Sequence, residues 1–275
     1  MILTNANYDY PLVLAGSFFN GLVPPPPSGP WLYPNYMATY HIHYLRYLYY
    51  MCYMGATGPY PVDIELDELL KKLHEKNHNC SKRIKKILIG EAPNIPTTYF
   101  YNPATPIVGT SIAAWYTPIA TALFPGVVFA NRTEFLMACA REGFLLMDLF
   151  PYDGPVYPAR KIASQKIAYK SAFCGLPLAY PYNIISRLNS ILCCLEDKFA
   201  LAFGLIRFGD VILNDAASVA ALDAWLLANG KSLLPPGPTD MLRLPPVAGA
   251  SDFLRVVGRI GFEPRQTDSK SLASG

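Results

Sequence analysis

The chain alternates short, almost wholly apolar runs with longer segments in which apolar residues recur at helical spacing. Three apolar runs predict strands, at 84–89, 144–147 and 200–207. The periodic segments predict helices at 37–54, 62–77, 111–123, 133–142, 159–172, 182–198, 216–228 and 252–260. Thr133 is the expected N-cap of the helix at 133–142, and Gly143 its stop. Apolar strands that alternate with helices predict a three-layer α/β/α fold around a mostly parallel sheet.

The pattern divides the chain into three regions. Residues 1–80 contain the proline run 24–27 and a tyrosine-rich predicted helix, and we expect them to form a helical elaboration packed on the core. Residues 81–266 carry the predicted strands and form the main α/β/α domain. Residues 267–275 are polar and predict a flexible tail.

Composition places the chain among packed globular proteins. Apolar residues make up 52% and charged residues 16%, which is too apolar for a disordered chain. No apolar run reaches the roughly 18–20 residues that a membrane helix needs, and the N-terminus lacks the pattern of a secretory signal. We therefore expect a soluble, cytoplasmic protein without a membrane segment, and favour a monomer.

The cysteines show no metal-binding spacing. None of the six forms a Cys-x-x-Cys pair, and the adjacent Cys193 and Cys194 lie inside an apolar segment. A structural zinc site or an iron–sulfur cluster needs clustered thiolates. We expect buried free thiols, no metal cluster and no cofactor.

Basic residues are locally concentrated although the net charge is only +3. Two interpretations are open: solvated faces, which we favour, or a stripe that follows phosphates. The residues concerned are Lys82, Arg83, Lys85, Lys86, Arg160, Lys161, Lys166 and Lys170.

Two predicted strands end in an acid. Glu91 follows the first and Asp148 the second, so parallel neighbours would bring both carboxyl groups to one edge of the sheet. Open α/β sheets bind ligands beyond the carboxyl ends of their strands, which predicts a pocket there. The alternatives are a salt-bridge or helix-end role for Glu91 and a capping role for Asp148. The aromatic run 99–101 belongs either to this pocket or to the core.

The stretch Gly90-Glu91-Ala92-Pro93 resembles the first motif of the uracil-DNA glycosylase superfamily, in its Gly-Glu-Ala-Pro branch. The run 145–151 resembles the second strand of that superfamily, with Asp148 in the place of an Asn. The resemblance covers roughly 84–260. It implies a monofunctional glycosylase that flips a base out of DNA and hydrolyses its N-glycosidic bond, leaving an abasic site. Glu91 and Asp148 would be the catalytic residues: Glu91 would position the attacking water, both carboxylates would stabilise the sugar cation, and Asp148 would also read the base.

Two departures from the family pattern predict a modified cytosine rather than uracil. An acid can accept from the amino group of cytosine and, when protonated, donate to its N3, whereas Asn suits uracil. Asn94 stands where uracil-specific relatives carry a Tyr that crowds C5, so a C5-substituted base would fit. Relatives that excise modified phage cytosines suggest an anti-phage role.

The resemblance also implies the remaining contacts. The expected base pocket contains Ala92, Asn94, Tyr99, Phe100, Tyr101 and Asp148, with Phe100 as the stacking platform. The expected DNA-binding residues are Arg160, Lys161, Lys166, Arg243, Val247, Gly249 and Ser251. The loop 244–251 stands in the place of a His-Pro-Ser loop, but the chain has no histidine after His78. A non-catalytic DNA-binding relative and an unrelated doubly wound ligand-binding enzyme therefore remain as alternatives.

Overall fold

A computed structural model describes residues 42–75, 80–91, 98–109, 115–150, 163–177, 183–204 and 206–233. The proline run, the predicted helix 252–260 and the tail 267–275 lie outside these residues. The domain boundary expected between residues 80 and 81 lies within the described residues. The boundary expected between residues 266 and 267 lies outside them.

Among the described residues, four parallel strands form the sheet. They are β1 (Ile84–Gly90), β2 (Phe144–Asp148), β3 (Leu195–Phe203) and β4 (Ser232–Leu233), in the spatial order β2-β1-β3-β4. Ile87, Leu88 and Ile89 of the central strand β1 are fully buried. A strand buried on successive positions must be covered on both faces, because successive side chains point to opposite sides. The predicted three-layer α/β/α architecture is confirmed.

Helices fill the connections between the strands. A helix over residues 42–53 (α1), whose last turn Tyr49–Tyr53 is a π-helix, and α2 (Leu66–Glu75) precede the sheet. Then come α3 (Tyr116–Leu123), α4 (Arg132–Arg141), α5 (Ala163–Cys174), α6 (Ile184–Ser190), α7 (Ile206–Leu213) and α8 (Ala216–Ala228). Helix α4 packs against β2 and α1, whereas α5 packs against α6, α7 and α8. Within the described ranges, no helix combines the length and the apolar character needed to cross a bilayer.

The segment between 182 and 207 differs from the prediction. One long helix was expected, but α6 ends at Ser190 and β3 already begins at Leu195, opposite Ile84. The charged residues 196–198 hide the start of this strand, since they lie at its exposed end, where Asp197 pairs with Lys82 and Lys231. The predicted strand 200–207 is correspondingly wrong at its end, because α7 starts at Ile206.

The N-cap predicted at Thr133 is also wrong. Helix α4 starts one residue earlier, and the Asn131 side chain accepts a hydrogen bond from the Glu134 N–H at 2.9 Å. The Glu134 carboxylate in turn accepts from the Ala130 N–H at 3.0 Å. This reciprocal arrangement is close to a capping box, which an Asn followed three residues later by Glu favours. The predicted stop at Gly143 is confirmed, with φ of 66°.

Three side chains from other parts of the chain form hydrogen bonds with the backbone along the outer edge of β2. The Tyr47 hydroxyl donates to the Phe144 carbonyl. The Tyr101 hydroxyl accepts from the Leu146 N–H and donates to the Leu146 carbonyl, both at 2.7 Å. Arg187 donates to the Asp148 carbonyl. These bonds satisfy backbone groups that an open strand edge would leave unpaired.

Candidate functional site

The order of the strands predicts a crevice at the carboxyl end of the sheet. The chain leaves β1 towards β2 on one side, and it leaves β3 towards β4 on the other. With right-handed crossovers, the connections after β1 and β3 then lie on opposite faces of the sheet. Such a reversal point separates the loops and is where open α/β sheets bind ligands. The expected crevice lies beyond Gly90 of β1 and Phe203 of β3.

Glu91 and Asp148 lie together at this edge. Gly90 and Asp148 are register partners of the parallel β1–β2 pair. Past them, the Leu149 N–H donates to the Gly90 carbonyl and the Phe150 N–H donates to the Glu91 carbonyl, each at 2.9 Å. Both acids are buried, with exposures of 7% and 9%. The structure thus places the two acids that the sequence analysis singled out at the ends of neighbouring strands.

Asp148 is a buried acid with one unpartnered oxygen. Within the part of the chain that the structure describes, its Oδ1 has no hydrogen-bond partner. Burial raises the pKa of Asp148 to about 7, although the positive charge of Arg187 acts in the opposite direction. Near neutral pH the carboxyl group is therefore accessible in its neutral form, which can donate as well as accept a hydrogen bond.

Glu91 is held by a tyrosine that the sequence analysis missed. The Tyr169 hydroxyl, from α5, donates to Glu91 Oε1. Tyr169 is itself buried, and its ring centroid lies 6.1 Å from that of Phe150, just beyond β2. A helix on one face of the sheet thus fixes the orientation of the acid that ends β1.

Arg187 supplies a buried positive charge beside Asp148. Its guanidinium donates to the carbonyls of Asp148 and Leu149, the latter at 3.2 Å. Tyr44 of α1 lies within electrostatic range of both Arg187 and Asp148. Burial raises the pKa of this tyrosine, and Arg187 acts in the opposite direction. The signal in the sequence was one arginine in a segment, 184–191, whose other residues are apolar or uncharged, a setting that favours a buried and paired charge.

Trp115 is a second aromatic residue that the sequence analysis missed. Gly204 directly follows β3, and its N–H donates to the Ile89 carbonyl at 2.8 Å. A Cβ on Gly204 would lie only 2.5 Å from Trp115 Cη2. The indole therefore lies against the carboxyl ends of β1 and β3, beside the crevice, and it is only partly buried. No local pattern identified it, because the contact joins residues far apart in the chain.

The aromatic run 99–101 is part of the core. Phe100 makes edge contacts with Phe135 and Phe144, at centroid distances of 5.8 and 6.1 Å, and is 3% exposed. Tyr101 closes the edge of β2, and its ring packs on Tyr44 and on Tyr99. This placement supports the core alternative for the run rather than a stacking surface for a base.

Basic residues near the start of β1 lie at the wrong end of the sheet to reach the crevice. A seven-residue strand spans roughly 20 Å, and Lys82 and Lys86 are paired with Asp197 and Glu142. Lys170 is likewise paired, with Asp215 at 2.7 Å. The solvated-face interpretation fits these three lysines. Lys166 is exposed on α5, three positions before Tyr169.

The other expected contacts lie outside the described residues. They are Ala92 and Asn94 of the base pocket, and Arg160, Lys161, Arg243, Val247, Gly249 and Ser251 of the DNA-binding set.

The comparisons with known proteins leave the chain without an assigned relative. No family model, no curated protein and no solved structure matches it. The resemblance to the uracil-DNA glycosylase superfamily therefore stays a prediction that rests on the motif residues.

Proposed function

We propose that the protein is a DNA glycosylase that excises a modified, cytosine-type pyrimidine and leaves an abasic site. The observation that carries this proposal is the pair of buried acids, Glu91 and Asp148, at the ends of two neighbouring parallel strands. The crevice beyond such strand ends is where a flipped base would be held. The Gly-Glu-Ala-Pro motif at residues 90–93 gives the reaction class.

Asp148 selects the base in this proposal. With a pKa of about 7, its carboxyl group can donate to N3 of cytosine while its other oxygen accepts from the exocyclic amino group. Uracil presents the opposite pattern at N3. A matched hydrogen-bonded edge gives about 1–3 kcal/mol of discrimination, so cytosine derivatives are preferred.

Glu91 performs the hydrolysis in this proposal. Its carboxylate, oriented by Tyr169, positions the attacking water and stabilises the positive charge that develops on the sugar. The departing base takes up negative charge, and Arg187 is the buried cation nearest to the base reader Asp148 among the described residues. Trp115, beside the crevice, takes the stacking role that the sequence analysis gave to Phe100.

The test is release of bases from a panel of oligonucleotides that carry uracil, cytosine and C5-substituted cytosines, scored as abasic sites. We expect product with a cytosine derivative, and a fall of about 10²–10⁴-fold in the Glu91→Gln variant. The rate with the preferred base should fall above pH 7 as Asp148 ionises. Glu142→Gln is the matched control, because Glu142 lies at the opposite end of the sheet and pairs with Lys86. Faster release of uracil than of every cytosine derivative would contradict the base assignment.

A second candidate is a DNA-binding relative without activity. The absence of any histidine after His78 favours it, because the family places a histidine in the loop that this chain fills with residues 244–251. Retained DNA affinity without abasic product in the same panel, unchanged by Asp148→Ala, would support this candidate over the enzyme.

A further inference from the structure

Three cysteines that are distant in sequence meet where β1 and β3 begin. The sulfur atoms of Cys80, Cys193 and Cys194 all lie within 4.8 Å of one another. Cys193 and Cys194 Sγ are 3.5 Å apart, and Cys80 is bonded to Cys193 as a disulfide in this structure. A fourth buried thiol, Cys52 at the end of α1, lies within electrostatic range of Cys194. Spacing along the chain gave no sign of this group, because three separate segments supply it.

A disulfide alone does not account for the group. It uses two of the sulfurs and leaves the free thiols of Cys52 and Cys194 buried beside it. Tetrahedral zinc sites place four sulfurs about 2.3 Å from the ion, which sets neighbouring sulfurs about 3.7 Å apart. The 3.5 Å separation between Cys193 and Cys194 is close to that value. The compact trio with a fourth thiol at its side matches the ligand set of a structural zinc site.

The backbone around the group is already fixed. The Ser81 N–H donates to the Cys52 carbonyl at 3.0 Å, and the Arg83 N–H donates to the Cys194 carbonyl at 2.8 Å. These bonds hold the segments of all four cysteines together. Arg83 also lies close to Cys52, and its charge acts to lower the pKa of that thiol, although burial dominates and raises it. A nearby cation offsets the double negative charge of a zinc ion with four thiolates.

We propose that Cys80, Cys193 and Cys194, with Cys52 as the fourth ligand, bind one Zn²⁺ ion when all four are reduced. A thiol reductant supplies the two electrons and two protons that convert the Cys80–Cys193 disulfide to two thiols. Binding of Zn²⁺ then releases the thiol protons. The ion ties the end of α1 to the starts of β1 and β3, so its role is to stabilise the fold, and it is independent of the proposed reaction at the other end of the sheet.

The test uses the full-length protein, purified with a non-chelating reductant from zinc-supplemented medium. We expect one zinc per chain by elemental analysis, and a lower melting temperature after removal of the ion with a chelator. Replacement by Co²⁺ should give the intense sulfur-to-metal absorption of a thiolate site. Less than one zinc per ten chains, or iron together with the absorption of a cluster, would overturn the proposal.

Single substitutions identify the ligands. Cys80→Ser and Cys193→Ser should each reduce zinc content at least tenfold, and Cys52→Ser should weaken affinity for the metal. Cys174→Ser is the matched control, because this half-buried free cysteine lies on α5 and contacts Ser218 of α8 instead. Should a serine variant fail to fold, Co²⁺ titration of the reduced wild-type protein with and without prior alkylation of the thiols decides the point. Equal uptake by alkylated and free protein would contradict the proposal.

Discussion

Gly90 is required by its neighbour on β2 rather than by its backbone conformation. A methyl group at this position would overlap Asp148 Oδ1 and also approach Leu146. The glycine of the motif thus makes room for the buried acid.

We expect Gly90→Ala to destabilise the fold by about 1–3 kcal/mol, because either the acid or the strand must move. Urea unfolding measures this cost. In an Asp148→Ala background the clashing oxygen is gone, so the same substitution should cost less. If Gly90→Ala lowered the free energy of unfolding equally in both backgrounds, the contact between position 90 and Asp148 would be contradicted.

Asp148 makes stability depend on pH in a definite direction. Its pKa rises from 3.8 to about 7 on folding, so the folded state binds the proton more tightly. The resulting stabilisation is complete below pH 4 and is lost as pH rises through 7. A shift of about three units corresponds to about 4 kcal/mol.

We therefore expect the difference in melting temperature, Asp148→Asn minus wild type, to be more positive at pH 8 than at pH 4. Asp197→Asn is a control of opposite sign. Hydrogen bonds from Lys82 and Lys231 lower the pKa of Asp197 to about 2, so its loss should cost stability above pH 4 and little at pH 2. If melting temperature depended on pH in the same way in wild type and Asp148→Asn, the raised pKa of Asp148 would be contradicted.

At the scale of elements, the outer edge of β2 is paired with side chains and with no further strand among the described residues. The Tyr101 hydroxyl serves both the N–H and the carbonyl of Leu146. Removing it leaves two buried backbone groups without that partner.

Tyr101→Phe should therefore cost about 1–3 kcal/mol and speed hydrogen exchange of the Leu146 amide. Tyr116→Phe is the comparison, because its ring also packs on the aromatic core, against Phe135, but from α3. If exchange at Leu146 were unchanged in Tyr101→Phe, the tyrosine would not close this edge.

The errors of prediction at this scale share one cause. The start of β3 was assigned to a helix because charged residues interrupt its apolar pattern, yet pairing with Ile84 fixes Leu195 in the sheet. Strands β1 and β2 were predicted nearly to their ends because each contains an uninterrupted apolar run, at 87–89 and 144–147. Local pattern reports burial well, but it does not report which partner provides the burial.

At the scale of the whole molecule, α1 and the sheet share one core. Leu45, Tyr50 and Met51 are fully buried in the same cluster as β1 and β2. The N-terminal region described here is therefore part of the packing of the α/β/α unit.

Leu45→Ala should lower the midpoint of urea unfolding by an amount equivalent to about 2–5 kcal/mol, in one transition with an unchanged slope. Tryptophan fluorescence and circular dichroism should give coincident curves. An N-terminal unit that melts separately would split the transition and leave the signal of Trp225 in α8 unaffected.

The sequence by itself determined the class of fold, the strands β1 and β2 and the acids that end them. Those features are local, since consecutive residues are enough to identify an apolar run that ends in an acid. Only the tertiary structure decided that Tyr169 and Arg187 lie beside the acids and Trp115 beside Gly204, that the aromatic run 99–101 belongs to the core, and that the cysteines meet. Each of these contacts joins residues from different elements, and the parallel crossovers that bring them together leave no trace in local spacing.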